Sequence, residues 1–242
     1  MSIGGGLRYR ADGRTPGQMR PISVELGVQK WAAASLIYRQ GDTHVLCAAT
    51  VEERIPPHLR GKGTGWVTAE YAMLPASTSE RMQRESVKGR PGGRTYEIQR
   101  LVGRALRGVV DTSVMGERTV TIDCDVLQAD GGTRCASITG GYIALVLALR
   151  KVGLERAVTN KIAAISVGIV AATPLLDLEY TEDSSAEVDF NVVGTDAGTY
   201  VELQGTAEGK PFERAQMERL LALADGGLQR LFAIQDEVLA RK

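Results

Sequence analysis

Residues 121–141 read TIDCDVLQADGGTRCASITGG: an alternating strand-like run, the interruption Gly131-Gly132-Thr133-Arg134, and, after Ser137, an apolar helix-like stretch. A period of two giving way to a helical run is the junction of a mixed α+β architecture, with sheets packed on helices. The interruption itself has chemistry. Two glycines let the backbone turn sharply and present its N–H groups to a ligand, Thr133 adds a hydroxyl donor, and Arg134 offers a fork suited to phosphate oxygens. The positive end of the following helix points the same way. The same residues also make an ordinary strand-to-helix turn, and on their own they leave both readings open.

Outward from this junction, strand patterns cover 32–38, 44–52, 66–74 and 120–127, and later 162–171, 175–180, 187–193 and 199–204. Between 95 and 110, Ile98, Leu101, Val102, Ala105, Leu106 and Val109 share one helical face with Arg100, Arg104 and Arg107 opposite, which puts Arg94 just ahead of the helix. A mostly apolar helix is expected over 138–152, and two more over 212–224 and 228–240, divided by Gly226-Gly227. The expectation is a single domain over 1–242 made of two strand-then-helix halves, about 1–152 and 153–242.

With 242 residues, 43% of them hydrophobic, the chain can bury a sizeable core. Its apolar runs are shorter than a membrane span, and residues 1–14 are polar and glycine-rich with no signal-peptide core, so a cytoplasmic protein without membrane association is expected. Cys47, Cys124 and Cys135 form no CxxC pair, and two of them lie in strand-like apolar surroundings that read as small core packing, so no disulfide and no zinc are expected. Net charge is zero but unevenly spread. Residues 54–107 carry 11 bases against 4 acids, and residues 173–225 carry 3 bases against 12 acids. Such asymmetry points to an anionic polymer on one side and a metal or complementary subunit on the other, or else to ordinary solvated faces. Arg81, Arg84, Lys88, Arg90 and Arg94 lie in a Pro/Gly-punctuated stretch where they are free to track phosphates.

Two phosphate loops are excluded by inspection. A P-loop needs Gly-Lys followed by Ser or Thr, whereas Gly61-Lys62 precedes Gly63 and Gly209-Lys210 precedes Pro211. The alternating Gly61, Gly63 and Gly65 lack the dinucleotide-binding spacing. In the acidic half, Glu187, Asp189 and Asn191 share one strand face opposite Val188, Phe190 and Val192, and Asp183 lies in the turn before them. A turn carboxylate and a strand carboxylate can converge on Mg²⁺, and the same pattern also suits a solvated acidic edge. With only His44 and His58, and no GxSxG, imidazole metal sites and a serine triad lack their parts.

Five stretches, in this order, resemble the bacterial ribonuclease PH family: 65–71 (GWVTAEY), 92–101 (GGRTYEIQRL), 123–134 (DCDVLQADGGTR), 177–183 (DLEYTED) and 204–209 (QGTAEG). The likeness runs from about Arg10 to the C-terminus. It implies the ribonuclease PH-type fold and a phosphate-dependent 3′-to-5′ exoribonuclease that trims transfer RNA precursors, with inorganic phosphate as co-substrate, nucleoside diphosphates as products and the reverse nucleotidyl addition available. It places phosphate binding on Arg94, Gly132, Thr133 and Arg134, and the catalytic, Mg²⁺-binding pair on Asp183 and Asp189. It further implies a homohexamer, a trimer of dimers, in which Arg81 and Arg84 serve ring assembly or RNA binding. One departure is Ala76, after Leu74-Pro75, where many relatives carry arginine. Two other readings are a non-catalytic ring subunit and a hydrolytic Mg²⁺ nuclease. The first is expected to lack the phosphate arginine or the aspartates, which are present, and the second has no need of an arginine-rich small-anion site.

Overall fold

Alternation along three strands sends Leu36, Tyr38, Val45, Cys47, Ala49, Val120, Ile122, Cys124 and Val126 inward, all at most 1% exposed. These strands are β2 (Ala34–Gln40), β3 (Thr43–Glu52) and β5 (Thr119–Gln128), joined by β1 (Ile22–Leu26) and β4 (Trp66–Met73) in the order β1-β2-β3-β5-β4. The computed structural model describes residues 10–241, apart from the Lys88 side chain; much of the N-terminal stretch expected to lack a signal-peptide core lies outside them. Neighbours in this sheet are antiparallel except β4 and β5, which run parallel. A parallel pair needs a crossover, and α1 (Gly93–Arg107) lies within it, followed by a four-residue helix, α2 (Thr112–Met115).

The second sheet is antiparallel throughout, in the order β7-β6-β8-β9, from β6 (Ile162–Val170), β7 (Thr173–Leu176), β8 (Val188–Thr195) and β9 (Tyr200–Ala207). Helix α3 (Thr133–Lys151) contacts β2, β3 and β5 on one side and β6 on the other. It is apolar all round because it is enclosed all round. Gly140 permits the close approach: a Cβ there would stand 2.8 Å from Tyr38 Cβ and 3.0 Å from Cys47 Sγ. Strand β6 is buried on both faces for a related reason. Ile162 and Ala164 join the core around α3, while Ala163, Ile165 and Val167 join a second core with Leu220, Leu228, Leu231 and Phe232 of α5 (Arg214–Leu239).

β1 and α2 have no counterpart in the sequence expectation, and three further elements differ from it in their bounds. Helix α3 begins at Thr133, five residues before the expected 138, because the chain turns helical immediately after Gly132 and buries Thr133, Cys135 and Ala136. The C-terminal helix is continuous through Gly226-Gly227. Gly227 is a packing residue, its missing Cβ leaving room for Leu176 Cδ1 at 2.9 Å and Ile165 Cγ1 at 3.3 Å. The strand expected over 175–180 is β7, ending at Leu176, because Asp177 takes a left-handed conformation (φ 57°) and the chain then makes a helical turn, α4 (Tyr180–Asp183).

Candidate active site

The anion loop is set by Gly131 and Gly132, with φ of 73° and 68°, in the left-handed region where a side chain is strained. At Gly131 space also forbids one: a Cβ would lie 2.6 Å from Leu178 O and 2.9 Å from Glu179 C. The loop therefore lies directly against the backbone leading into α4. Thr43 Oγ1 grips the loop from β3, donating to Gly131 O at 2.7 Å and accepting from Asp130 N at 3.0 Å. Asp130 Oδ1 accepts the Tyr180 N–H at 3.1 Å, tying the loop to the first residue of α4. Thr133 opens α3, so its backbone N–H belongs to the unpaired donors of a helix start.

Arg134 is oriented rather than loose. Its Nη1 donates to Gln204 Oε1 of β9 and, at 3.2 Å, to Glu97 Oε1 of α1, while Gln204 Nε2 donates to the same Glu97 oxygen at 3.3 Å. Thr133 Oγ1 is paired with the Tyr71 hydroxyl of β4 at 2.9 Å. Glu97, Gln204 and Tyr71 all fall inside the sequence motifs, but nothing in their spacing marks them as supports of an arginine and a threonine that lie far along the chain. Arg94 is the second residue of α1, two positions further in than expected, and it is exposed.

Asp183 ends α4 and Asp189 is the second residue of β8; both are half-buried. Asn191 Nδ2 donates to Asp189 Oδ1 at 3.3 Å, and Asn191 Oδ1 accepts from the Cys135 thiol at 3.2 Å, linking the aspartate to α3. Burial, then the nearby Asp183 carboxylate, push the Asp189 carboxyl up to about 6, against the pull of Arg134 and Arg94. Burial likewise raises Asp183, opposed by Arg94, Arg134 and Arg20. Charges from three stretches thus bear on the Asp189 carboxyl: Arg94 from the basic stretch, Arg134 from the start of α3, and Asp183 from the acidic stretch. Arg81 and Arg84 are exposed, and their side chains make no hydrogen bond or ion pair with the described residues.

Among the described residues, no group of three or more His, Cys, Asp or Glu side chains is gathered to hold a metal. The Asp183 and Asp189 pair fits a hard divalent cation of the Mg²⁺ type, which keeps water and substrate oxygens in its remaining positions. Two carboxyls raised by burial, Asp189 also by the charge of Asp183, gain by such a partner. A cleft of about 550 Å³, lined by Met82, Ala129, Asp130 and Tyr180 among others, opens beside the loop. Arginines whose charge reaches a carboxylate pair, beside the N–H groups of a helix start, suit chemistry between a small anion and a second anionic group.

The chain matches the 3′ exoribonuclease family, domain 1 over residues 18–151 and domain 2 over residues 160–227, and it belongs to that family. It is 55% identical to ribonuclease PH of Syntrophomonas wolfei subsp. wolfei over 235 residues, covering 95% of this chain and 98% of that protein. Its activity is phosphorolytic 3′-to-5′ exoribonucleolysis, a nucleotidyl transfer with inorganic phosphate as co-substrate, the chemistry of transfer RNA 3′ processing. The ribonuclease PH-type fold is shared by rice (Oryza sativa) Rrp46, at TM-score 0.78 and 19% identity over 95% of this chain and 100% of that one. It is shared too by a chain of the Archaeoglobus fulgidus exosome, solved with RNA bound to the active site, at TM-score 0.77 and 20% identity over 93% of this chain and 92% of that one. No helix among the described residues is long and apolar enough to cross a membrane.

Proposed function

We propose that Arg94, Gly132, Thr133 and Arg134 hold the attacking phosphate, that Asp183 and Asp189 are the catalytic carboxylates, and that the substrates are 3′-extended transfer RNA precursors. The observation that carries this reading is geometric: the loop of two left-handed glycines packs directly against the backbone that enters the turn ending at Asp183, and Asn191 ties Asp189 to Cys135 in the first turn of the helix the loop opens. Inorganic phosphate and an RNA phosphodiester repel each other, so the task of the site is to bring two anions into line. Arg94 and Arg134 offset the repulsion, and Gln204 and Glu97 hold Arg134 in one orientation while it does so. Thr133 adds a hydroxyl and a backbone N–H to the same anion.

An oxygen of phosphate forms a new bond to the terminal phosphorus as the bond from that phosphorus to the preceding 3′ oxygen breaks. The products are a nucleoside diphosphate and an RNA one nucleotide shorter, its 3′ oxygen having taken up a proton. No side chain becomes covalently linked. A Mg²⁺ or similar divalent cation held by Asp183 and Asp189 would supply Lewis-acid stabilisation of negative charge on the scissile group. Because the bond made resembles the bond broken, high nucleoside diphosphate drives nucleotidyl addition.

The wider reading has a homohexamer, a trimer of dimers, working in the cytoplasm on transfer RNA precursors, with the exposed Arg81 and Arg84 serving assembly or RNA contact. It also has residues 1–242 acting as a single domain. Support comes from the sequence motifs and from the freedom of those two arginines within the subunit. Incubating a 3′-extended transfer RNA with Mg²⁺, with and without phosphate, tests the chemistry. Nucleoside diphosphates released only with phosphate are expected, and nucleoside monophosphates released without it would overturn the proposal.

A further inference from the structure

Asp183 stands at the end of a four-residue helix, and so short a helix does not hold itself in place. What holds it is a set of buried arginines from the segment before β1. Arg10 donates from Nε to Glu182 at 2.6 Å, from Nη1 to Leu176 O at 2.6 Å and from Nη2 to Asp177 O at 2.8 Å, with a further Nη2 contact to Glu182. Glu182 in turn accepts the Glu179 N–H at 3.1 Å, closing a capping box around α4. Arg14 adds an Nη1 bond to Asp177 O at 2.9 Å.

Arg20 reaches further. Its backbone N–H and Nε donate to Asp177 Oδ2 at 2.7 and 3.1 Å, its Nη2 donates to Asp177 Oδ1 at 2.7 Å, and its Nη1 donates to the carbonyl of Asp130. The same guanidinium abuts the anion loop, with Nη2 3.3 Å from where a Cβ on Gly132 would stand. One fork therefore joins the loop that precedes Thr133 to the left-handed Asp177, six residues before Asp183. Its positive charge also acts on the Asp183 carboxyl. Nε, Nη1 and Nη2 each donate to a protein oxygen, so the fork is fixed in place.

A buried ion pair can often be exchanged for apolar residues without loss of stability, so stability is weak grounds for keeping one. What an apolar pair cannot reproduce is a rigid planar fork with donors aimed at two chain segments at once. We propose that Arg20, seconded by Arg10, is a positioning residue for phosphorolysis: it sets the separation between the phosphate-holding loop and the segment that carries Asp183. The inference rests on the site reading of the preceding subsection.

Arg20→Lys tests it, because lysine keeps the charge opposite Asp177 but cannot also reach Asp130. Per folded molecule, kcat should fall roughly ten- to hundred-fold, the scale of a misplacement of about an ångström, and the KM for phosphate should rise. RNA affinity should be unchanged. Backbone amides of 178–184 should exchange hydrogen faster, while those of α3 and β6 keep wild-type rates. The double variant Arg20→Met/Asp177→Asn removes both buried charges and should show the same kinetic loss. Wild-type kcat and phosphate KM in either folded variant, or unchanged exchange in 178–184, would overturn the inference; so would failure of both variants to fold, which would make the role purely structural. Asp189→Asn and Arg94→Ala, run alongside, separate the two ideas. If these remain fully active, the site reading is what fails; if they are impaired and both Arg20 variants are normal, only the positioning role falls.

Discussion

Asp189 carries opposite obligations. Its carboxyl, normally near 3.8, is pushed up to about 6 by burial and by Asp183, so between those values the folded protein retains a proton that the unfolded chain releases. Stability is therefore lost as pH rises through that window, and above it the ionised pair weighs against the fold. Asp189→Asn should stabilise the cation-free protein at pH 7.5 by about 1–2 kcal/mol, the shift discounted for partial exposure, and by nothing at pH 4. Urea unfolding in a chelator at the two pH values measures this, and an equal effect at both would contradict it. The same variant should lose roughly a hundred-fold or more in turnover, as expected on removing an electrostatic stabiliser. Arg94→Ala acts on a different step. Removing a charge-assisted hydrogen bond of about 1.5–3 kcal/mol should raise the phosphate requirement roughly ten- to hundred-fold and leave RNA binding intact. Initial rates across phosphate concentrations decide it, an unchanged KM removing Arg94 from the anion site.

At the scale of elements, glycines with different neighbours make opposite predictions. Gly226 has nothing within 4 Å of a Cβ position and lies in the interior of α5, so Gly226→Ala should raise stability by about 0.5–1 kcal/mol through helix propensity. A hinge between two helices would gain nothing, and a thermal melt separates the cases. Gly131→Ala meets both a left-handed φ of 73° and the Leu178 carbonyl at 2.6 Å. The loop must then draw back from α4, and phosphorolysis should fall roughly a hundred-fold while most of the core remains folded. Near-normal turnover of Gly131→Ala would show that the packing of the loop on α4 is incidental.

At the scale of the whole molecule, the core around α3 takes in Ile162, Ala164, Val193 and Val238 from the second half, so the halves share buried surface. If residues 1–242 form a single domain, calorimetric and van't Hoff enthalpies of unfolding should agree; two resolved transitions would separate the halves. On the outer surface, Arg81→Ala/Arg84→Ala should reduce the mass of the assembly in solution, weaken RNA binding, or both, with the subunit still folded. If RNA binding is the role, the salt dependence should drop by about 0.7 in slope for each phosphate that the variant no longer neutralises. Wild-type mass and wild-type salt dependence together would leave these arginines as solvated surface.

The chemistry of this protein was written in short range. Gly131-Gly132-Thr133-Arg134 and the spacing of Asp183 and Asp189 mark candidate donors and carboxylates, because local backbone conformation and the period of a strand are set by neighbours in the chain, but by themselves they suit a plain turn and a solvated acidic edge equally. Most of the elements were equally legible, since α1 and β5 each bury a face of regular period. Three features were decided only by tertiary contact. Gly226-Gly227 looks like a break until Leu176 and Ile165 are seen to fill the space beside Gly227. The stretch after Leu176 looks like a longer strand until buried Asp177 finds Arg20, 157 residues away in sequence. Arg134 looks like a free fork until Gln204 and Glu97 orient it. Sequence determined which groups are available to the proposed site, because residue identity and local period are properties of the chain. Their mutual placement was decided by the packed fold, because it depends on hydrogen bonds and packing between segments that no spacing along the chain encodes.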